Sequence, residues 1–307
     1  MGLFTNNKKL CPICSNPTPR IFPTTVAGMP ICKECNRKID LPDGVLDGMS
    51  VADFRQYIDF WNENKALRDI FKEEIRLVPS YEADNLQIDV THGLFRLKED
   101  DNALVFEASN LVSFQILEDS EPLFESEGSV LKCYKSDIPE FVKSISDQIS
   151  RIAVQQQVNE QMERIERERQ RERERNGETT TQQSAYYSTT EVELPVPLKY
   201  FYVELTLNHP YWGDVSRKMY GPRFKRDDPS VRQYLDDYDL TVGKLHKMAT
   251  ALMKMINPNA GEVYEGGDAQ APKTDAVSEI KRYKELLDAG VITEAEFAAK
   301  KRLLLGI

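Results

Sequence analysis

Hydrophobic residues recur every three or four positions in three long segments, which is the spacing of an amphipathic helix. In the first segment Ser50 is placed as the N-cap, Asp53 as the acidic third residue, and Pro79 as the residue that ends the helix. The pattern therefore predicts three helices, which span Ser50 to Val78, Ile138 to Arg175, and Ser230 to Ile256.

Short apolar or alternating runs lie between these helices and predict β-strands. Four of them precede the second helix, at 93–97, 103–106, 110–117 and 130–134, and two follow it, at 199–208 and 214–224. Neither group buries a core convincingly by itself. We therefore expect one antiparallel β domain that is interrupted by the second helix.

The second helix changes character along its length. Its apolar stripe gives way after Ile165 to a run in which Glu and Arg alternate. In this run Glu168 faces Glu172 four residues later, and Arg169 faces Arg173, so four-apart pairs repel. The sequence predicts a charged helical arm whose order decreases towards Arg175.

Two CxxC pairs near the N terminus carry the clearest chemistry in the chain. Seventeen residues separate the first pair from the second, a spacing typical of zinc sites with four thiolate ligands. Such a site has no open position for water, so the expected role of Zn²⁺ is structural. A redox dithiol is the weaker alternative, because no βαβ pattern accompanies the pairs. The predicted metal ligands are Cys11, Cys14, Cys32 and Cys35.

The segment between the two pairs predicts a small hairpin that completes a zinc ribbon. A turn is placed near Ala27 and Gly28, and apolar side chains are expected to cover the metal site. These covering residues are Ile21, Phe22, Val26 and Ile31. The module is locally basic, which either offsets the charge of a zinc tetrathiolate or provides a nucleic-acid contact.

The last residues of the chain predict a pair of helices. Asp275 caps the first helix, Gly290 ends it, and Thr293 with Glu296 forms a capping box for the second. The stretch YKELLDAGVITEAEFAAKKRLLLGI closely resembles the SHOCT family, a short C-terminal domain of bacterial and phage proteins. The resemblance implies protein interaction or oligomerisation and carries no catalytic residues. The expected interaction residues are Ile280, Tyr283, Leu286, Leu287, Ile292, Phe297, Leu303 and Leu304.

The order of strands and helices in the interrupted β domain resembles the pleckstrin-homology-like fold. That resemblance implies a possible ligand of the phosphoinositide or peptide type. A basic cluster in this domain is the candidate anion contact, although five aspartates between Asp227 and Asp239 follow it and weaken its attraction for an anionic surface. The cluster comprises Arg217, Lys218, Arg223, Lys225 and Arg226.

Together these patterns predict an α+β multidomain protein. Its expected parts are a zinc ribbon in 1–46, an amphipathic helix in 47–79, the two halves of a pleckstrin-like domain in 80–136 and 197–257, a helical arm in 137–175, a flexible linker in 176–196, a flexible tether in 258–273 and the SHOCT pair in 274–307.

Composition narrows the class of protein. The formal charge of -10 argues against a protein that coats nucleic acid over its whole surface. The start of the chain lacks the apolar block of a secretion signal and no stretch is long enough to span a bilayer, so a cytoplasmic location is expected.

No arrangement of nucleophile and histidine and no glycine-rich phosphate loop is visible, so no enzymatic activity is expected. The leading hypothesis is a zinc-binding adaptor that self-associates. The alternatives are a nucleic-acid-binding regulator that uses the zinc module and the arginine-rich helix, and recruitment to an anionic membrane lipid.

Overall fold

The computed structural model describes residues 5–77, 85–176 and 193–265, together with the single positions Lys284 and Phe297. The described residues form a mixed α+β structure with several antiparallel sheets. They divide into two compact units. The first unit draws on Met1–Cys133, Tyr200–Tyr220 and Lys247–Val263, and the second on Tyr134–Lys199, Gly221–His246 and Tyr264–Ile307.

The first unit begins with two small hairpins and a short helix. Their elements are β1 (Thr5–Leu10), β2 (Pro17–Pro19), β3 (Thr25–Val26), β4 (Met29–Pro30) and α1 (Lys33–Asn36). β1 pairs with β2 and β3 pairs with β4, both antiparallel. Because both hairpins are too short to bury a core, this segment depends on the cysteine cluster described below.

Helices α2 (Val51–Glu63) and α3 (Lys65–Ile70) follow. A capping box starts α2 as predicted: the Asp53 backbone N–H donates to Ser50 Oγ, and the Ser50 backbone N–H donates to the Asp53 carboxylate. The predicted helix was too long, however. It ends at Ile70, and Ile75–Leu77 forms strand β5, because Ile75 pairs with Ile88 in a sheet.

Strand β5 belongs to a four-stranded antiparallel sheet with β6 (Leu86–Asp89), β7 (Leu94–Arg96) and β8 (Val105–Glu107), in that order. All four residues of β6 are buried, including Gln87 and Asp89. Asp89 accepts hydrogen bonds from the backbone N–H groups of Lys72 and His92, at 2.8 and 3.0 Å. These bonds satisfy a carboxylate that is otherwise costly to bury.

A six-stranded sheet follows along the chain. Its strands are β9 (Leu111–Glu118), β10 (Glu121–Glu127), β11 (Val130–Tyr134), β12 (Tyr200–Leu207), β13 (Asp214–Tyr220) and β14 (Gly261–Glu265). Their order across the sheet is β13-β12-β9-β10-β11-β14. β9 pairs with β12, with Ile116 opposite Val203, so strands from both sides of the long insertion share one sheet. Strand β14 lies inside 258–273, which corrects the predicted tether for these five residues.

The second unit contains the inserted helices α4 (Ile138–Ser144) and α5 (Ser146–Arg175). The single helix predicted over 138–175 is therefore divided at Ile145. The Ser144 hydroxyl donates to the Phe141 carbonyl at 2.7 Å, which competes with the regular helical hydrogen bonds at this point. Within α5, Ile149 and Ile152 are buried, whereas Val154 and the larger apolar residues that follow are exposed.

Helix α6 (Val231–Ile256) completes the described fold. In the second unit its Tyr234 ring stacks on Phe224 with ring centroids 4.7 Å apart. In the first unit its last turns bury Met248, Leu252 and Met253. In the part of the chain that the structure describes, no helix combines the length and hydrophobicity needed to cross a membrane.

Candidate metal centre

The first cysteine pair is presented by the turn between β1 and β2. The Cys11 backbone N–H donates to the Asn16 carbonyl, and the Ser15 N–H donates to the Cys11 carbonyl, both at 2.9 Å. Ser15 has a φ of 60°, a left-handed conformation that closes the turn tightly. These bonds direct the Cys11 and Cys14 sulfurs towards the same side.

The second pair comes from the start of a helix. The β3–β4 hairpin turns through Ala27 and Gly28, whose φ angles are 47° and 74°, as the predicted turn requires. It delivers Cys32 as the N-cap of α1, where the Cys32 sulfur accepts a 3.4 Å hydrogen bond from the Cys35 backbone N–H. One turn of helix therefore places the Cys32 and Cys35 sulfurs together.

All four sulfurs lie within 4.8 Å of one another. Cys11 and Cys35 Sγ are 3.8 Å apart, Cys14 and Cys35 Sγ 3.6 Å, and Cys14 and Cys32 Sγ 3.4 Å. A tetrahedral ion with sulfur ligands at about 2.3 Å has edges of about 3.8 Å, so the spacing suits such an ion. None of the four forms a disulfide. Cys11, Cys32 and Cys35 are buried and Cys14 is exposed.

The electrostatics of the thiols also call for a cation. Burial opposes ionisation of Cys11, but hydrogen bonds from the surrounding backbone outweigh it and lower the pKa of Cys11 to about 7. Burial, together with contacts to the other sulfurs and repulsion from Cys11, raises the pKa of Cys35 far above its usual range. Burial also raises the pKa of Cys14. Thiolates cannot accumulate at this site unless a metal ion compensates their charge.

The apolar cover of the site is smaller than predicted. Val26 and Ile31 are buried, each only 1% exposed. Ile21 and Phe22 do not cover the sulfurs, because Ile21 is 61% exposed and Phe22 is 98% exposed. Val26 lies in β3 and Ile31 directly follows β4, where its N–H donates to the Thr24 carbonyl, whereas Ile21 and Phe22 lie in the bend between β2 and β3.

Several hydrogen bonds fasten the cysteine module to α2. Arg55 donates to the Pro12 carbonyl at 2.9 Å. The buried Tyr57 hydroxyl donates to the Lys38 carbonyl at 2.6 Å and accepts from the Asp40 backbone N–H at 2.7 Å. Burial raises the pKa of Tyr57 well above its usual range, so the phenol stays protonated and can donate.

Asp40 extends these connections into the sheets of the first unit. Its carboxylate accepts from the Leu104 backbone N–H at 2.7 Å and pairs with Lys98 Nζ at 3.0 Å. Its carbonyl accepts from Trp212 Nε1 at 3.1 Å. Sequence reasoning missed Asp40 and Trp212, because the partners of the Asp40 carboxylate and of the Trp212 ring lie 58 to 172 positions away and no local pattern marks them.

The candidate anion contacts are not equivalent. Arg217 is only 8% exposed and donates to the Leu97 carbonyl at 3.3 Å, so it is removed from the predicted contact surface. Lys218 lies over the Tyr200 ring, 3.5 Å from its centroid. The remaining cations, Arg223, Lys225 and Arg226, are exposed in the second unit.

The other predicted site residues lie mostly outside the described part of the chain. Of the eight SHOCT interaction residues, only Phe297 is described, as helical and partly buried. Cys133 is a buried thiol, 2% exposed.

Two histidines have structural roles in the first unit. His92 Nδ1 lies 2.8 Å from Asp89 Oδ2. His209 packs against Phe60 and Phe106, and burial lowers the pKa of His209 to about 4.

Comparison with known proteins identifies one part of the chain. Residues 278–305 match the family SHOCT, described as a short C-terminal domain. The SHOCT resemblance found in the sequence is thereby confirmed for these residues. No curated protein and no solved structure matches the chain.

Proposed function

We propose that this protein is a zinc-binding, non-catalytic adaptor that acts through protein–protein contacts of its SHOCT pair and of α5. The observation that carries the first half of this proposal is the cluster of four sulfurs within 4.8 Å. Four thiolates in tetrahedral geometry favour Zn²⁺, with an iron–sulfur centre as the chemical competitor. Zinc in such a site closes the fold of a module that lacks a sufficient core.

Metal analysis of the purified chain tests the zinc assignment. We expect one zinc ion per chain and a colourless protein. A Cys35→Ser variant should lose the ion, because only three thiolates remain, whereas Cys133→Ser should retain it. Iron in place of zinc, or a Cys35→Ser variant with full zinc content, would contradict the assignment.

The adaptor role rests on exposed apolar side chains of α5, which do not contribute to the core of the described residues. Along α5 four exposed apolar residues follow at steps of four, four and three, which is a stripe on one helix face. They are Val154, Val158, Met162 and Ile165, 45 to 61% exposed. From Glu160 to Arg175 the arm carries six glutamates and six arginines, so a second copy is electrostatically complementary to it.

The SHOCT pair supports the same role for a physical reason. A unit of about 34 residues with an apolar face on both helices buries too little surface by itself and needs a partner surface. We propose that this partner is a second copy of the chain or another protein. We also place the sheets in a pleckstrin-homology-like domain and the cysteine module in a ribbon-like zinc fold, on the basis of strand order and ligand spacing.

Light scattering of the intact protein tests self-association. We expect the intact chain to form oligomers and a chain that ends at Pro272 to form smaller ones. A double substitution of Val158→Glu and Met162→Glu should reduce the mass further, because it places charges in the proposed helix contact. Gln170→Glu should not, because the exposed Gln170 lies about 125° around the helix from the centre of the stripe. Monomers of the intact chain at all concentrations would refute the proposal.

The non-catalytic part of the proposal rests on the closed coordination of the expected zinc site. Four cysteine ligands leave no coordination position for water or substrate. His92 is held by Asp89, and His209 is packed among aromatic rings with its Nδ1 accepting from the Tyr211 N–H at 3.2 Å.

A further inference from the structure

The loop between β2 and β3 exposes two large apolar side chains next to each other. Ile21 is 61% exposed and Phe22 is 98% exposed. Phe22 therefore presents nearly its whole ring to water, although burial of such a side chain is strongly favourable. Adjacent exposed aliphatic and aromatic residues at a loop tip mark a contact surface more specifically than scattered single residues do.

The backbone of this loop is also unusual. Phe22 has a φ of 47°, a left-handed conformation that is rare and unfavourable for a bulky residue. The hairpin that follows is well ordered by contrast: the Ile31 N–H donates to the Thr24 carbonyl at 3.0 Å, and Val26 and Ile31 are buried. The module keeps its inward residues on the metal site and forces Ile21 and Phe22 outward.

Cations flank the exposed pair. Arg20 immediately precedes Ile21 in the chain. Ile31 and Thr24 lie opposite each other, joined by a backbone hydrogen bond, at the open end of the hairpin. Lys33 follows Ile31 by two residues and Phe22 precedes Thr24 by two residues, so Lys33 and Phe22 lie at that same end. The one carboxylate among residues 9–39, Glu34, is paired with Arg37 at 3.1 Å.

We infer that this loop anchors the protein to an anionic lipid bilayer. Ile21 and Phe22 would enter the interface between headgroups and acyl chains, and the cations around them would contact anionic headgroups. The charge of -10 on the whole chain does not prevent this contact, because charges farther away than about 8 Å are largely screened at physiological salt. No transmembrane helix is needed for such peripheral binding.

The side chains at the tip favour lipid over nucleic acid. Single-stranded nucleic acids stack on aromatic and guanidinium planes, and aliphatic Ile21 adds little to such a surface. A bilayer interface accepts an aliphatic and an aromatic side chain equally well. The inference also differs from the pleckstrin-like lipid hypothesis, because it uses a different module and none of the cations from Arg217 to Arg226.

Co-sedimentation of the full-length, metal-loaded protein with vesicles tests the inference. The vesicles contain phosphatidylcholine with or without phosphatidylserine. We expect binding to the vesicles with phosphatidylserine, and a loss of about tenfold or more in partitioning when Ile21→Ala and Phe22→Ala are combined. Leu240→Ala is the matched control, because Leu240 is 59% exposed on α6 and far from this loop in sequence.

Folding of each variant is checked by its zinc content and far-UV circular dichroism. Loss of vesicle binding with zinc retained supports the inference, and equal binding by the double variant and the wild type overturns it. Absence of binding to anionic vesicles at low salt overturns it as well. Binding to single-stranded nucleic acid that depends on Phe22 and displaces the vesicles would assign the loop to nucleic acid instead.

Discussion

Substitution of Asp40 should show how much the contacts between the cysteine module and the sheets contribute to stability, independently of metal binding. Asp40 follows the cysteine module directly, yet it is not a ligand, and its side chain is nearly fully buried. Asp40→Ala removes the acceptor for the Leu104 backbone N–H and the partner of Lys98. The main-chain bonds of Asp40 to Tyr57 and Trp212 remain possible in the variant.

The size of the effect follows from these two losses. A buried backbone N–H without an acceptor costs about 1–3 kcal/mol. Lys98 is about one third exposed and can turn to water, so the lost ion pair adds at most about 1 kcal/mol. We expect Asp40→Ala to lower the free energy of unfolding by about 1–4 kcal/mol. Asp40→Asn retains an oxygen acceptor and should cost about half as much.

Urea unfolding followed by tryptophan fluorescence measures this change, because Trp212 is buried beside Asp40. With a slope of about 2 kcal/mol/M, the expected shift in midpoint is about 0.5–2 M. Asp43→Ala is the matched control, since Asp43 is exposed three positions away. If Asp40→Ala and Asp43→Ala unfold within about 0.5 kcal/mol of each other, the assigned role of Asp40 is wrong.

Three further measurements address other parts of the fold. The pKa of His209 is lowered from 6.5 to about 4, so the unfolded chain binds more protons than the folded chain between these pH values. The free energy of unfolding should therefore fall by up to about 3 kcal/mol as the pH drops through this range. His209→Gln should remove that part of the pH dependence in thermal unfolding, and an unchanged profile would contradict the burial of the ring. Gly221→Ala should destabilise the second unit by about 1–3 kcal/mol, because a Cβ at this position would lie 2.6 Å from the Leu198 carbonyl oxygen. A Cβ at Gly213 would have no neighbour within 4 Å, so Gly213→Ala should be nearly neutral in the same unfolding assay. Amide hydrogen exchange should be slow around Ile149, which is buried, and fast from 169 to 175, where the helix is exposed and like charges lie four residues apart. Equal protection of the two regions would disprove the predicted gradient.

The sequence was most informative where chemistry or backbone geometry is local. Two CxxC pairs determine the sulfur cluster because each pair needs only one turn to converge. The turn at Gly28 and the capping box at Ser50 also follow from residues within three or four positions of each other. The same applies to the SHOCT pattern, whose caps and apolar spacing are contiguous in the chain.

Strand β6 shows why other elements could not be predicted. Its alternation of Leu86 and Ile88 with Gln87 and Asp89 suggests one buried and one solvated face, but all four residues are buried. Gln87 accepts a hydrogen bond from Arg96, and Asp89 accepts from Lys72 and His92. Burial of a polar side chain depends on partners from other strands, which a linear pattern does not contain.

The apolar residues of the cysteine module illustrate a related limit. Ile21, Phe22, Val26 and Ile31 are all apolar, but Ile21 and Phe22 lie in the bend before β3, whereas Val26 belongs to β3 and Ile31 directly follows β4. Hydrophobicity alone does not reveal this difference. The same four residues that were predicted to shield the metal therefore divide into a shielding pair and an exposed pair.

This division links the proposed zinc site to the proposed lipid contact. In the proposed zinc site an ion would bind both Cys14 and Cys32, whose sulfurs lie 3.4 Å apart, and would thereby join the two ends of the segment in which Phe22 has a φ of 47°. Without an ion the thiols repel one another as they ionise, and the loop can relax so that Ile21 and Phe22 approach the unprotected core. If both proposals hold, chelation should therefore weaken vesicle binding as strongly as removal of the two apolar side chains, although no metal ligand would touch the lipid.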